Sequence, residues 1–439
     1  MDLRAKRWFL RHGRLVLIME GFSSMSLVVP LHTMKIGEMP LVVETVSDSS
    51  TATVAWLLPV GSAGDPMGAA GEGESALLAE VIQRGAGSRD SRAFCDALDL
   101  IGVQRGTASA MHHIAITATC LVEHMPHMLE LLTDMVRRPH IGQEAVEAAR
   151  DLALQTLGSL RDDPQHYVSM LLGGIVHPAP FNRHGFGTEE GLMACTQDVL
   201  RVAWARRARP GGSIIGVVGG MEAEQVWKTL EPLLAGWSGH AEEVRESAPA
   251  RRGTTFERQE SAQTHMCIGL SAPKESDSAS MLHRLVVRVL GGGGMANRLF
   301  SEVREKRGLC YSVGMDYAAG RDRGLSSIYA GSTPDRAAET IECIRGELRR
   351  MAEGVSPDEF ERAVIGLKSS TIMNGERSSA RAAAIASDMH RVGRARTLAE
   401  VVARIDALTI DLVNAYCRQA FSGSALDAMS LAVVGPEPL

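Results

Sequence analysis

Aromatic side chains make up only 4% of this 439-residue chain, so its cores must be aliphatic, built from Leu, Val, Ala and Met. No stretch reaches the eighteen or so apolar residues of a membrane-spanning helix, which excludes such a span. A basic excess is also missing. The net charge is −6, the pI is near 6.2, and Arg is interleaved with Glu and Asp, leaving no electrostatic footprint for nucleic acid. Seven cysteines, at 95, 120, 195, 267, 310, 343 and 417, are an odd number without a C-x-x-C pair. That pattern argues against a disulfide scaffold and for buried thiols in a reducing compartment, hence a cytoplasmic location, with periplasmic or secreted alternatives left open. GVVGG at 216–220 reads as a strand end, because no G-x-G-x-x-G or P-loop lysine follows it into a helix.

What is present suits two domains, since 439 residues exceed a single core. The first thirty residues are basic and then briefly apolar. LVLIM is too short for a signal-peptide core, and Glu20 and Gly21 end the run. Residues 1–31 are therefore expected to be an extension, disordered or ahead of a true start at Met25 or Met34. Two similar halves follow, 32–237 and 262–439. Each opens with alternating or continuous apolar strands (MPLVVETV and ATVAWLLPVGS; MCIGLSAP), continues through amphipathic helices, and closes on an apolar strand (SIIGVVGG; SLAVVGP). The expected class is α+β, two homologous rolls of antiparallel sheet with helices packed on one face. Between them, residues 238–261 are polar and charged with Pro and Gly, and read as a linker.

The most informative segment is GGGGMANRLFSEVREKRGLCYSVGMDY, residues 291–317. Leu299, Phe300 and Val303 give a helix one apolar face, Gly308 stands where a helix end wants a left-handed residue, and a strand follows. Arg304 thus falls near the helix end and Tyr311 early in the strand. By spacing alone these are a solvated arginine and a partly packed tyrosine. Glycines 291 to 294 read either as a tight turn or as a mobile loop.

As a whole, the segment resembles the R-E-K-x-G-L-x-Y-S region of pitrilysin-type zinc metallopeptidases, the family of insulin-degrading enzyme and mitochondrial processing peptidase. The resemblance covers residues 32 to 439 and implies a half-clamshell of two rolls. It implies that Tyr311 donates its hydroxyl to the scissile carbonyl as it becomes an oxyanion, while Arg304 holds substrate carbonyls or carboxylates. Gly291, Gly292, Gly293 and Gly294 would correspond to a peptide-handling loop.

The same resemblance places an H-x-x-E-H helix in the first half, where this chain reads ALLAEVIQRGAGS. Aligned on its glutamate, Glu80 keeps the general-base place, but Leu77 and Val81 occupy the histidine positions. The third ligand would be a glutamate near EAARDLALQTLGSLRDDP, where Gln155 and Thr156 stand and Glu147 lies at least two turns upstream. No zinc site is expected in this chain, since a tetrahedral site needs three protein ligands. Glu80 then reads as a vestigial base or an ordinary helix carboxylate. His112 and His113 are adjacent and, on a strand, would face opposite ways; His124 and His127 straddle a helix start at Pro126. Neither pair completes a substitute metal site.

The resemblance implies a non-catalytic, substrate-binding subunit, inactive alone, that lends Arg304 and Tyr311 to a zinc-bearing H-x-x-E-H partner or to a homodimer mate. A structural peptide-binding module without chemistry, and an active endopeptidase with an atypical metal site, are the alternatives. Zinc is expected in the partner and a peptide as substrate.

Overall fold

In a computed structural model of the chain, residues 8–11, 14–17 and 29–439 are described. Most of the expected 1–31 extension therefore lies outside the described residues. Two short antiparallel strands there, β1 (Trp8–Arg11) and β2 (Arg14–Leu17), pair with each other.

The first sheet comprises β3 (Leu31–Ile36), β4 (Met39–Thr45), β5 (Thr51–Leu58), β6 (Gln104–Ser109), β7 (Ile114–Leu121) and β8 (Ile214–Gly219). Its order is β3-β4-β8-β5-β7-β6. The second comprises β9 (Thr254–Arg258), β10 (Thr264–Ala272), β11 (Ser312–Ala319), β12 (Gly324–Ser332) and β13 (Ser430–Gly435), in the order β11-β12-β10-β13-β9. The two share one wiring. In each, the last strand of the half inserts parallel to an early strand (β8 on β4, β13 on β9) and antiparallel to the one that follows it (β5, β10). Strand β11 is thus the counterpart of β6, and both are sheet edges. The segment 238–261, expected to be a linker, includes β9; its short polar run TTFER gives no apolar signal, yet it closes the second sheet.

Strands that read as unbroken apolar runs are buried on both faces. Leu41, Val43, Val54, Trp56, Leu58, Ile215 and Val217 point into the main core of the first half. The alternating residues Val42, Ala55, Ile214 and Val218 point the other way, onto Ala382, Ile385 and Ala386 of the helix Ser378–Val392. That helix belongs to the second half. The second sheet receives the reciprocal gift: Cys267, Ala432 and Val434 pack on Val168, Leu172, Ile175 and Val176 of the helix Pro164–Val176 from the first half. Glycines permit the approach. A Cβ on Gly216 would lie 2.7 Å from the Ala382 carbonyl oxygen, and one on Gly269 would meet Leu172 and Val176 at 3.0 Å. To the helices on one face of each sheet is thus added a third layer on the other face, exchanged between halves.

Polar contacts lock the exchange. Arg381 donates to both carboxylate oxygens of Glu44 on β4, with Nε 2.9 Å from each, and both side chains are almost fully buried. Losing one partner of such a pair strands a buried charge, a cost of about 3–5 kcal/mol. Beside it, His390 sits between His112 and His113, with ring centroids 5.0 and 4.4 Å away. Its buried Nε2 has no hydrogen-bond partner among the described residues. Burial, then neighbouring histidines and arginines, pushes His113 down to about 3 and His390 to about 4. His177 nearby falls to about 4 through burial, Arg323 and Arg252. The other charges facing this cluster are Arg321 and Arg391, with Asp322 the opposing acid.

An imidazole held below its unfolded value near 6.5 favours the folded state above that pH, and this contribution is lost as pH falls from about 6.5 towards 4. Urea midpoints should therefore drop steeply across that window, each buried histidine contributing about 1.4 kcal/mol per pH unit. His390→Phe, which keeps a ring but takes no proton, should flatten the slope; an unchanged slope would remove the seam histidines from the acid response.

Candidate functional site

The helix Glu74–Val81 is the element on which a metal would sit, and a buried polar cluster fixes its start. Asp65 accepts from Gly73 N at 3.0 Å, from Ser75 N at 3.1 Å and from Ser75 Oγ at 3.1 Å, capping the first turn. Arg207 donates to Asp65 at 2.8 Å and also reaches the Gly61 carbonyl. Burial raises the Glu74 carboxyl above its ordinary range against the pull of Arg207. None of these residues stood out in the sequence, because Asp65 and Arg207 lie 142 positions apart.

Along this helix, Leu77 and Val81 are fully enclosed in the core, together with Leu78 and Ile82. The face one residue earlier carries Ala76 and Glu80, an i, i+4 pair that is only half-buried. A metal open to substrate needs that half-buried face, so burial favours Ala76 and Glu80 over Leu77 and Val81 as the ligand places. In this frame Glu80 stands at a ligand place rather than at the base. The Glu80 carboxylate makes no hydrogen bond or ion pair with a described residue. The helix packs on Gln143–Ser159, where Gln155 is exposed and Thr156 spends its hydroxyl on the Leu152 carbonyl at 2.8 Å.

The second locus lies across the fold. After the Ser280–Leu290 helix, Gly291 is buried so tightly that a Cβ would meet Met315 and Leu299 at 2.8 Å. Gly293 and Gly294 take left-handed φ of +76° and +104° and are exposed. Turn and exposed loop thus share the four glycines. The following helix, expected to be α-helical, winds as a π-helix over Phe300–Lys306. It ends at Gly308, φ +62°, whose N–H donates to Arg304 O at 3.0 Å. Arg298 anchors the segment with a bidentate bond to Glu359, at 2.7 and 2.8 Å. Glu359 also serves the capping box of the Pro357–Gly375 helix, and these bonds pull its carboxyl down to about 2 against the opposing effect of burial.

Here Arg304 lies between two rings, its guanidinium carbon 4.8 Å from the Phe300 centroid and 5.1 Å from that of Tyr311. It pairs with no carboxylate among the described residues. Tyr311 is 77% exposed, its backbone N–H held by Gly331 O at 3.2 Å and its hydroxyl without a hydrogen-bond partner among the described residues. A stacked guanidinium with unspent N–H groups beside an open phenol is equipped to receive an oxygen-rich ligand. No hydrogen bond or ion pair joins this locus to Glu80 among the described residues.

Family models match the two halves in turn. Residues 41–179 fit the insulinase family, peptidase family M16, and residues 194–367 fit the peptidase M16 inactive domain. The chain belongs to the M16 peptidase family. Among relatives of this M16 protein, an uncharacterized zinc protease of Mycobacterium leprae is 26% identical over 91% of this chain and 90% of its own length. One from Bacillus subtilis is 24% identical over 83% and 88%. The fold matches a peptidase M16 inactive domain from Pseudomonas fluorescens, with TM-score 0.83 and 19% identity over 93% of this chain and 98% of that one. It equally matches a protease from Helicobacter pylori, with TM-score 0.84 and 15% identity over 94% and 100%.

Zinc, which the family implies, does not suit the residues present. Either frame of the Glu74–Val81 helix offers no imidazole, and the neighbouring helix presents an amide and a spent hydroxyl. Among the described residues no group of three His, Cys, Asp or Glu side chains converges as metal ligands. His112 and His113, expected on opposite strand faces, instead occupy the turn before β7, where alternation does not apply, and both rings pack on His390. Pro126 does open the helix Met125–Arg137, with His124 at its cap and His127 Nδ1 3.1 Å from Glu130.

The purified chain should therefore carry well under one zinc per molecule by plasma mass spectrometry, and Glu80→Gln should leave that value unchanged. Stoichiometric zinc that Glu80→Gln removes would contradict the donor argument.

Proposed function

We propose that this chain is the non-catalytic, substrate-binding subunit of a two-chain M16 zinc peptidase, supplying Arg304 and Tyr311 to a partner whose H-x-x-E-H helix holds the metal. The observation that carries this reading is the contrast between the two loci. The zinc-type helix carries no imidazole, only aliphatic side chains and the lone Glu80 carboxylate on its half-buried face, while the Arg304/Tyr311 pair is intact, stacked and unspent. A protein kept only for its shape has no need of an exposed tyrosine held beside an unpaired arginine. Relatives named as zinc proteases favour a role in proteolysis over a purely structural one.

The H-x-x-E-H helix of a partner would hold the zinc, which when bound would supply an activated water and polarise the scissile carbonyl. The Tyr311 hydroxyl donates to that oxygen as negative charge builds, and the Arg304 fork holds a neighbouring peptide carbonyl or carboxylate in register. Tyr311 immediately precedes β11, an edge strand of its sheet as β6 is of the other, although the Met315 N–H of that edge is already spent on Gly291 O at 3.0 Å. An extended peptide would pair with the backbone groups that remain at such an edge, and its alternate side chains would set the choice of substrate.

In a hydrolytically active mixture of this chain and its partner, Tyr311→Phe should lower turnover by about 10²- to 10³-fold, the loss of one oxyanion donor. Arg304→Lys, which keeps charge but loses the fork, should mainly raise KM. Unchanged turnover with Tyr311→Phe would remove the phenol from the mechanism.

A further inference from the structure

A cavity of about 470 Å³ opens between the helices Ser280–Leu290, Pro357–Gly375, Ser378–Val392 and Leu398–Asp406, on the flank of the helix lent to the first sheet. This volume lies within the range of small-molecule sites. Its walls carry Arg284, Arg381, Arg391 and Arg396 against only Glu275 and Asp388. Most of this charge is already paired. Arg381 is spent on Glu44, Arg396 holds Asp388 and Glu275, and Arg284 reaches Glu275 while stacking on Tyr317.

Arg391 alone is left over. It is exposed on the cavity's rim and makes no hydrogen bond or ion pair with any described residue. Just behind the wall, Arg404 donates to Ser280 Oγ at 3.1 Å. Burial, and then the neighbouring Arg396, hold it below its ordinary range. The lining also includes the apolar side chains of Met281, Leu367, Leu398 and Val401.

We infer that this cavity binds a small aliphatic carboxylate, its chain among Met281, Leu367, Leu398 and Val401 and its carboxylate on the guanidinium fork of Arg391. One unmatched fork suits one planar monoanion better than a multiply charged phosphate, and the half-apolar wall favours a ligand with a tail. The site is distinct from the Arg304/Tyr311 locus and does not depend on how that locus acts. A free carboxylic acid and the C-terminus of an aliphatic peptide share this chemistry.

Calorimetric titration of the full chain with octanoate, N-acetyl-leucine, octanol and inorganic phosphate tests the inference. Octanoate or N-acetyl-leucine should bind saturably at one site, the tighter of the two naming the source, while octanol and phosphate bind at least about tenfold more weakly. Arg391→Gln, on an exposed position, should weaken carboxylate binding by about tenfold or more, in line with a lost charge-assisted pair. Ala384→Leu, which fills the cavity from an exposed helix position, should abolish it. Octanol or phosphate matching octanoate, or carboxylate affinity unmoved by both substitutions, would overturn the assignment.

Discussion

Two-sided burial of both sheets by exchanged helices is the constraint on which everything else rests. Each sheet carries apolar residues on both faces, and the second face of each packs against a helix from the opposite half. Neither half can withdraw without exposing a sheet face, the Glu44–Arg381 pair and a set of neutral histidines together. Local stability of the sites is therefore tied to the docking of the halves. The Arg304/Tyr311 segment and the Glu74–Val81 helix belong to one interlocked framework, so the proposed partner would meet a preformed surface.

On this framework, the repeat places comparable elements in comparable positions, and the two halves have diverged in what they carry there. The first half retains the helix, its Asp65 cap and its Arg207 support, yet presents alanine and glutamate on the half-buried face where imidazoles would be needed. The second half retains a π-helix closed by Gly308 and tied by Arg298 to Glu359, which fixes Arg304 against two rings. A helix without imidazole donors, in a chain whose Arg304/Tyr311 pair keeps its donors free, is what the proposed division of labour between chains would require.

Much of this was legible in the residues. The α+β repeat and the left-handed Gly308 follow from local pattern, while the M16 resemblance rests on the 291–317 segment and implies the ligand places at which this chain carries no histidine. What escaped has physical reasons. The Pro164–Val176 helix, with Gly173 and Gly174 near its end and little one-sided polarity, offers no amphipathic stripe, because it is wedged against the other half's sheet. Which sheet the Ser378–Val392 helix covers is a long-range fact. In Leu77–Ile82 the apolar residues come in pairs, so periodicity alone leaves the frame of the metal positions ambiguous, and burial decides it. Strand β9 hid in a polar stretch, and π-winding leaves no mark in residue spacing.

The most direct measurement compares hydrolysis of one fluorogenic peptide by this chain alone, by an H-x-x-E-H partner alone, and by the two mixed. The account predicts turnover only in the mixture, sensitive to chelation through the partner's zinc. Chelator-sensitive turnover by this chain alone, undiminished in the partner's absence, would contradict it.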